Sequence, residues 1–164
     1  MVNPTDFITW ATGVVNDFGY LGIFGVALLS SATIVFPTFP LSTIVFFSST
    51  VLNPILVAIA AGIGAATGEL VGFFIGYEGE RLLKKYESRL VRIEKLFQKY
   101  HPMVVIYFFS AIPIIPFDII GLFCGLVRYP AKNFYIALLL GKTTRYLIIA
   151  AAGYYGLSYI LSFI

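Results

Sequence analysis

Hydrophobic positions fall into four long stretches, Phe18–Leu52, Pro54–Tyr77, Met103–Val127 and Phe134–Ala152, with one polar segment in the middle of the chain. The stretch from Pro54 to Tyr77 carries a single charge, Glu69. At about 1.5 Å per residue it reaches roughly 36 Å, enough for a slightly tilted membrane span. From Glu78 to His101, Leu82, Tyr86, Leu90, Ile93, Phe97 and Tyr100 recur at helical spacing while Arg and Lys fill the opposite face, the pattern of an amphipathic helix. Such a helix lies on the inner membrane surface, drawn to anionic headgroups by about 1 kcal/mol per basic residue; the alternative is a solvated connector.

The other stretches are interrupted. Phe18–Leu52 carries Pro37 and Pro40, and Met103–Val127 carries Pro113 and Pro116. A proline pair at this close spacing removes backbone donors and breaks helix geometry. The arms flanking Pro113 and Pro116 are then too short for a bilayer that needs about 20 residues, so this stretch is expected to dip in and turn back. Phe18–Phe36 is long enough to cross by itself, but its ending in Phe-Pro-Thr-Phe-Pro favours a second hairpin running to Leu52. Irregular backbone at such depth survives only where protein or water surrounds it.

The halves also repeat. Pro37, Pro40 and Pro54 recur in a single register as Pro113, Pro116 and Pro130, and Gly76-Tyr77-Glu78-Gly79 is echoed, one position out of that register, by Gly153-Tyr154-Tyr155-Gly156. The unit is a hairpin followed by one spanning helix. One crossing per unit inverts the second copy relative to the first, as in many secondary transporters. The expected architecture is all-α and integral to the membrane, a single domain over 1–164. Its first repeat covers about 19–79, the amphipathic connector 80–101 and the second repeat 102–156.

Composition agrees. The chain is 59% hydrophobic and 12% charged, with mean hydropathy +0.92, against roughly 25% charged residues in soluble domains. Charge placement sets the orientation. No Lys or Arg precedes Arg81, and seven of the 11 basic residues lie between Arg81 and Lys99. Under the positive-inside rule this makes 78–101 cytoplasmic in a multi-pass protein of the cell membrane, with Arg81, Lys84, Lys85 and, after the second hairpin, Arg128 facing headgroups. Two proline-tipped hairpins then point at each other from opposite faces, and the tail from Tyr154 sits at the outer interface. No nucleic-acid partner is expected, since the basic residues form one loop and not a broad face. No cleavable signal peptide is expected, because the first residues lack a basic region. Association of copies is left open.

Several charges stand inside apolar sequence. Glu69 follows Pro54 at the same interval as Arg145 follows Pro130. The two thus hold matching positions in inverted copies, each roughly 5 Å past the middle of its helix. A charge there costs about 2.5–3.5 kcal/mol or more unless paired or wetted. The two either form a static ion pair that pins the halves or line a substrate or proton path. Lys142, nearly one turn before Arg145, shares its helix face; it holds a phosphate with Arg145 or snorkels to the interface. Asp118, just after Pro116, reads as a helix start favoured by the N-terminal dipole, or as an ion or headgroup contact at a hairpin tip. Gly64, Gly68, Gly72 and Gly76 make a smooth face for close helix packing. His101 is the only histidine, and no phosphate loop or dinucleotide fingerprint occurs; neither catalysis, a metal nor a cofactor is expected.

Ile112-Pro113-Ile114-Ile115-Pro116-Phe117-Asp118, followed by Gly121, Gly125, Phe134 and Gly141, resembles the signature of the DedA superfamily, the VTT or SNARE-associated Golgi protein domain. Gly64–Gly79 is similar to that family's first-half motif. The resemblance implies opposed re-entrant hairpins and transfer of phospholipids or polyprenyl-phosphate carriers between leaflets, coupled to the proton or sodium gradient in bacterial members, with eukaryotic relatives behaving as lipid scramblases. It assigns Glu69 to the acidic position of the first spanning helix, Asp118 to the position after the second proline tip, and the four hairpin prolines to the tips. The chain departs from the pattern at Ser110, where many members carry Arg, at Ser42, where many carry an acid, and around Ser30 and Ser31, where an acid is usual. The expected function is a lipid transporter or scramblase for an anionic phospholipid or isoprenoid phosphate. A small ion or solute transporter and a non-transporting membrane organiser are the alternatives.

Overall fold

The computed structural model describes residues 4–32, 39–78, 95–112 and 118–161, with side chains over 12–32, 41–78, 95–112 and 120–156. Pro37, Pro113, Pro116, Arg81, Lys84 and Lys85 lie outside the described residues. The described elements are helical: α1 Pro4–Ala32, α2 Phe39–Val51, α3 Pro54–Glu78, α4 Pro102–Ala111, α5 Asp118–Leu126 and α6 Ala131–Leu161. Among the described residues 3 helices are long and apolar enough to cross a membrane, over Thr12–Ala32, Pro54–Glu78 and Ala131–Gly156. Helices α2, α4 and α5 are shorter, at 13, 10 and 9 residues. They reach roughly 20, 15 and 14 Å, well short of a hydrocarbon core about 30 Å thick.

By length and composition the run Thr12–Ala32 could cross, but α1 is two helical segments joined at a kink, and the segment from the kink to Ala32 is by itself about as short as α2. Gly19 makes the kink, with φ 56° and ψ −125°, a backbone conformation glycine adopts without the Cβ penalty of other residues. The preceding turns fold back so closely that a Cβ at Gly22 would collide with the Val14 carbonyl. Tyr20 Oη accepts a hydrogen bond from the Asn53 backbone N–H at 3.1 Å, tying the kink to the α2–α3 turn. Asn53 Oδ1 in turn accepts from the Ile55 N–H at 3.0 Å, satisfying an orphan donor in the first turn of α3.

Glycines set the helix directions. Gly64 abuts Phe24 and Ala27, and Gly68 abuts Leu28 and Ala32, so α1 and α3 run parallel. Gly121 lies against Glu69 and Phe73, and Gly125 against Phe73 and Tyr77, so α5 runs parallel to α3. α6 is antiparallel to α3, since Gly62 meets Thr143 and Thr67 Oγ1 bonds Tyr135 Oη at 3.2 Å. Of the small-residue face on α3, Gly64, Gly68 and Gly76 serve close packing, while a Cβ at Gly72 would meet nothing within 4 Å.

The packing is reciprocal between halves. α1 lies against α3 and α4 against α6, while α2 lies against α6 and α5 against α3. Two apolar cores result among the described residues. One joins Ile23, Val26, Leu41, Val45, Val57 and Ala61 to Tyr146 and Ala150; the other joins Phe73, Ile106, Ile120, Phe123, Phe134 and Leu138. Helices α3 and α6 contribute to both. Phe18, Phe47, Phe74, Leu140 and Ile148 point outward, the apolar exterior a membrane requires. Residues 95–99 are helical, and Phe97 packs edge-on against Phe123 at 5.2 Å between ring centroids. At its end, therefore, the connector's apolar face seats on protein.

Candidate functional site

Where the two apolar cores meet, α3 and α6 present charge to each other. Glu69 stands just beyond the middle of α3 and Lys142 just before the middle of α6, both within a few ångströms of mid-helix by rise. The Lys142 ammonium lies 3.0 Å from Glu69 Oε2 and donates to Oε1 at 3.2 Å. Lys142 is 0% exposed, and Glu69 and Arg145 are each 3% exposed. Tyr146, fully buried, feels the charges of Lys142, Arg145 and Glu69 together, and the Arg145 guanidinium carbon is 6.0 Å from its ring centroid. Among the described side chains the cluster therefore holds one carboxylate, two cations and a phenol.

The helices explain this convergence. Lys142 follows Gly141, whose missing side chain lets Tyr107 and Ser110 of α4 approach the α6 backbone. Ser110, 0% exposed, donates back to the Ile106 and Tyr107 carbonyls at 2.9 Å, which satisfies its hydroxyl within α4. On the α3 side, Gly68 lets α1 close in at Leu28 and Ser31, one residue before Glu69. Phe73 and Phe134 stack at 4.9 Å below the cluster. Small residues thus bring the backbones together while two long charged side chains occupy the remaining space.

One expectation changes. Lys142 does not snorkel, because its ammonium is wholly buried against Glu69. Glu69 pairs with Lys142, nearly one helical turn before Arg145, the residue at its matching position in the proline register. The glycine contacts define a second register. Gly64 meets the Phe24 carbonyl and Ala27, as Gly141 meets the Tyr107 carbonyl and Ser110; Gly76 meets Leu122, as Gly153 meets Phe46. Gly64 therefore answers to Gly141 and Gly76 to Gly153, each one position further along α6 than the prolines indicate. In that packing register Arg145 stands at the position of Gly68 and Tyr146 at that of Glu69.

Asp118 is the first residue of α5, which agrees with its helix-start reading. Pro40 falls in the first turn of α2. Arg128 is exposed, at φ 53°, with its guanidinium 5.3 Å from the Tyr77 ring centroid, so it brackets the end of α3 from the α5–α6 turn. Tyr146 was not legible as a site residue, since a tyrosine in an apolar run has no signal of its own.

The VTT domain model matches residues 39–155. An uncharacterized membrane protein of Bacillus subtilis, YbfM, is 32% identical over 103 residues, a match covering 57% of this chain and 64% of that protein. The chain therefore spans just under two thirds of the relative's length. No solved structure matches. The matched segment runs from α2 into the last turns of α6 and includes every charged residue of the central cluster. With most of its length and both helices of that cluster inside the domain, the chain belongs to the VTT-domain family of membrane proteins, the DedA family.

Proposed function

We propose that the protein moves an anionic lipid, a phospholipid or an isoprenoid phosphate, between the leaflets of the cell membrane. The observation that carries the reading is the buried Glu69–Lys142 pair with Arg145 close by on the same helix face, at the junction of the two cores. Charges at that depth are costly and mark pathways more often than scaffolding. A lipid phosphate entering between α3 and α6 competes with Glu69 for Lys142 and engages Arg145 in charge-assisted hydrogen bonds, while the acyl chains stay in the bilayer. A proton taken up by Glu69 releases Lys142, which gives a route to coupling; sodium near the carboxylate is the other candidate. Family membership and the apolar exterior support the membrane setting.

The reading includes opposed re-entrant hairpins in an inverted repeat. Reciprocal packing of α2 on α6 and α5 on α3, the equivalent glycine contacts, and the short lengths of α2, α4 and α5 support it. Segment 78–101 is then cytoplasmic, and Asp118 and the tips at Pro37, Pro40, Pro113 and Pro116 lie along the route.

The test is reconstitution of the full chain in liposomes with fluorescent phospholipid and a headgroup-quenching reagent. The wild type is expected to expose inner-leaflet label far faster than empty vesicles. Glu69→Gln, Lys142→Met and Arg145→Ala are each expected to slow this at least about tenfold, one unmet charge contact. Undiminished rates in all three variants, or uptake of a soluble solute without lipid movement, would falsify the lipid reading.

A further inference from the structure

A cavity lies away from the charged cluster, between the kinked first half of α1 and the outer face of α2. It encloses about 470 Å³, within the rough 300–1,000 Å³ range of small-molecule sites, and Thr12, Asn16, Thr43 and Ser48 line it beside Ile44 and Phe47. It exists because Gly19 turns the chain back on itself. Beside it Phe18, Phe47 and Val51 are 65%, 64% and 85% exposed. In a chain that spans the membrane such residues face acyl chains, so what enters does so sideways from the lipid.

We propose that this groove binds one uncharged, hydroxyl-bearing membrane lipid of the diacylglycerol class. Among the described residues no ionisable side chain lines the groove, so a charged headgroup entering it would lose water without gaining a counter-ion. The carboxylate of Asp17, next in sequence to the lining residue Asn16, is exposed, which further disfavours phosphate. Asn16 and Ser48 bring an amide and a hydroxyl to the lining, each able to donate and accept, matching a free hydroxyl and ester carbonyls. Ile44 and Phe47 offer an apolar wall to the upper methylenes. Leu52, beside the turn into α3, also lines the groove.

Full-length protein in phosphatidylcholine liposomes is exposed to a photoactivatable diacylglycerol, or to a phosphatidic acid with the same chains, and labelled peptides are mapped. Diacylglycerol label is expected within residues 12–19 and 41–52, with phosphatidic acid labelling these roughly tenfold less. Ser48→Ala and Asn16→Leu remove hydrogen bonds without filling the groove; each is expected to lower diacylglycerol label roughly fivefold with unchanged elution and melting temperature. Ser48→Phe, which fills the space, is expected to remove it. Equal labelling by both probes overturns the proposal, as does label unaffected by Ser48→Ala and Asn16→Leu. Disulfide-linked dimers through Phe47→Cys in a Cys124→Ser background, in place of lipid label, also overturn it and assign the groove to a second copy. None of these outcomes depends on lipid flipping by the central cluster.

Discussion

Lys142 carries a full charge into the middle of the molecule, where the Glu69 carboxylate lies 3.0 Å away. Removing a single member of such a pair strands the other in low dielectric at a cost of about 3–5 kcal/mol, whereas replacing both by neutral groups of similar volume is far milder. Lys142→Met and Glu69→Gln are therefore each expected to lower the detergent melting temperature strongly, and the double variant to recover most of the loss. A double variant as unstable as the singles would show that the pair is not the energetic unit. Gly125 makes a different point: a Cβ there runs into the Phe73 carbonyl. Backbone cannot give way as a flexible side chain does, so Gly125→Ala is expected to cost about 1–3 kcal/mol in the same assay.

Helix α1 combines a bend that its residues announce with an extent that they do not. Gly19 is a plain candidate for a kink, yet the turns before it contain Asp6, Asp17 and Asn16, so no apolar period marks them as helix. They form one because the bend lays Val15 into the core beside Ile23, a tertiary contact that outweighs a weak local pattern. Gly19→Ala meets no atom within 4 Å, so its cost is backbone alone, about 1–2 kcal/mol, read as a lower melting temperature. By contrast α3 was legible almost to the residue, Pro54–Tyr77 expected against Pro54–Glu78 observed, because its length and apolar character leave no other state in lipid. At the α5–α6 turn, Arg128 holds positive φ while facing Tyr77. Arg128→Ala keeps the strain and loses the ring contact, an expected loss of about 0.5–1 kcal/mol.

Across the whole molecule, each half lends its short helix to the other half's long one, α2 to α6 and α5 to α3. Neither half completes its core alone, so the charged cluster at their junction depends on both. The orientation proposed for the chain has a direct check. Asn53 and Lys99 are both exposed and stand beyond opposite ends of α3. Asn53→Cys is expected to react with an impermeant thiol reagent from outside intact cells, and Lys99→Cys only after the membrane is opened. The reverse pattern would invert the topology.

Membrane residence, the spanning character of α3 and α6 and the presence of buried charge all follow from composition and apolar length, because a bilayer sorts segments by those properties almost independently of their neighbours. The proline register between the halves is equally plain in one dimension. That Lys142 meets Glu69 is not. The proline register and the packing register differ by a single position, which turns a helix face by about 100°. Only the packing of α6 on α3, where Gly62 meets Thr143, brings Lys142 to Glu69. The groove on α1 and α2 belongs to that second kind of knowledge, since it comes from a bend folding one stretch of chain over another and from no residue pattern along it.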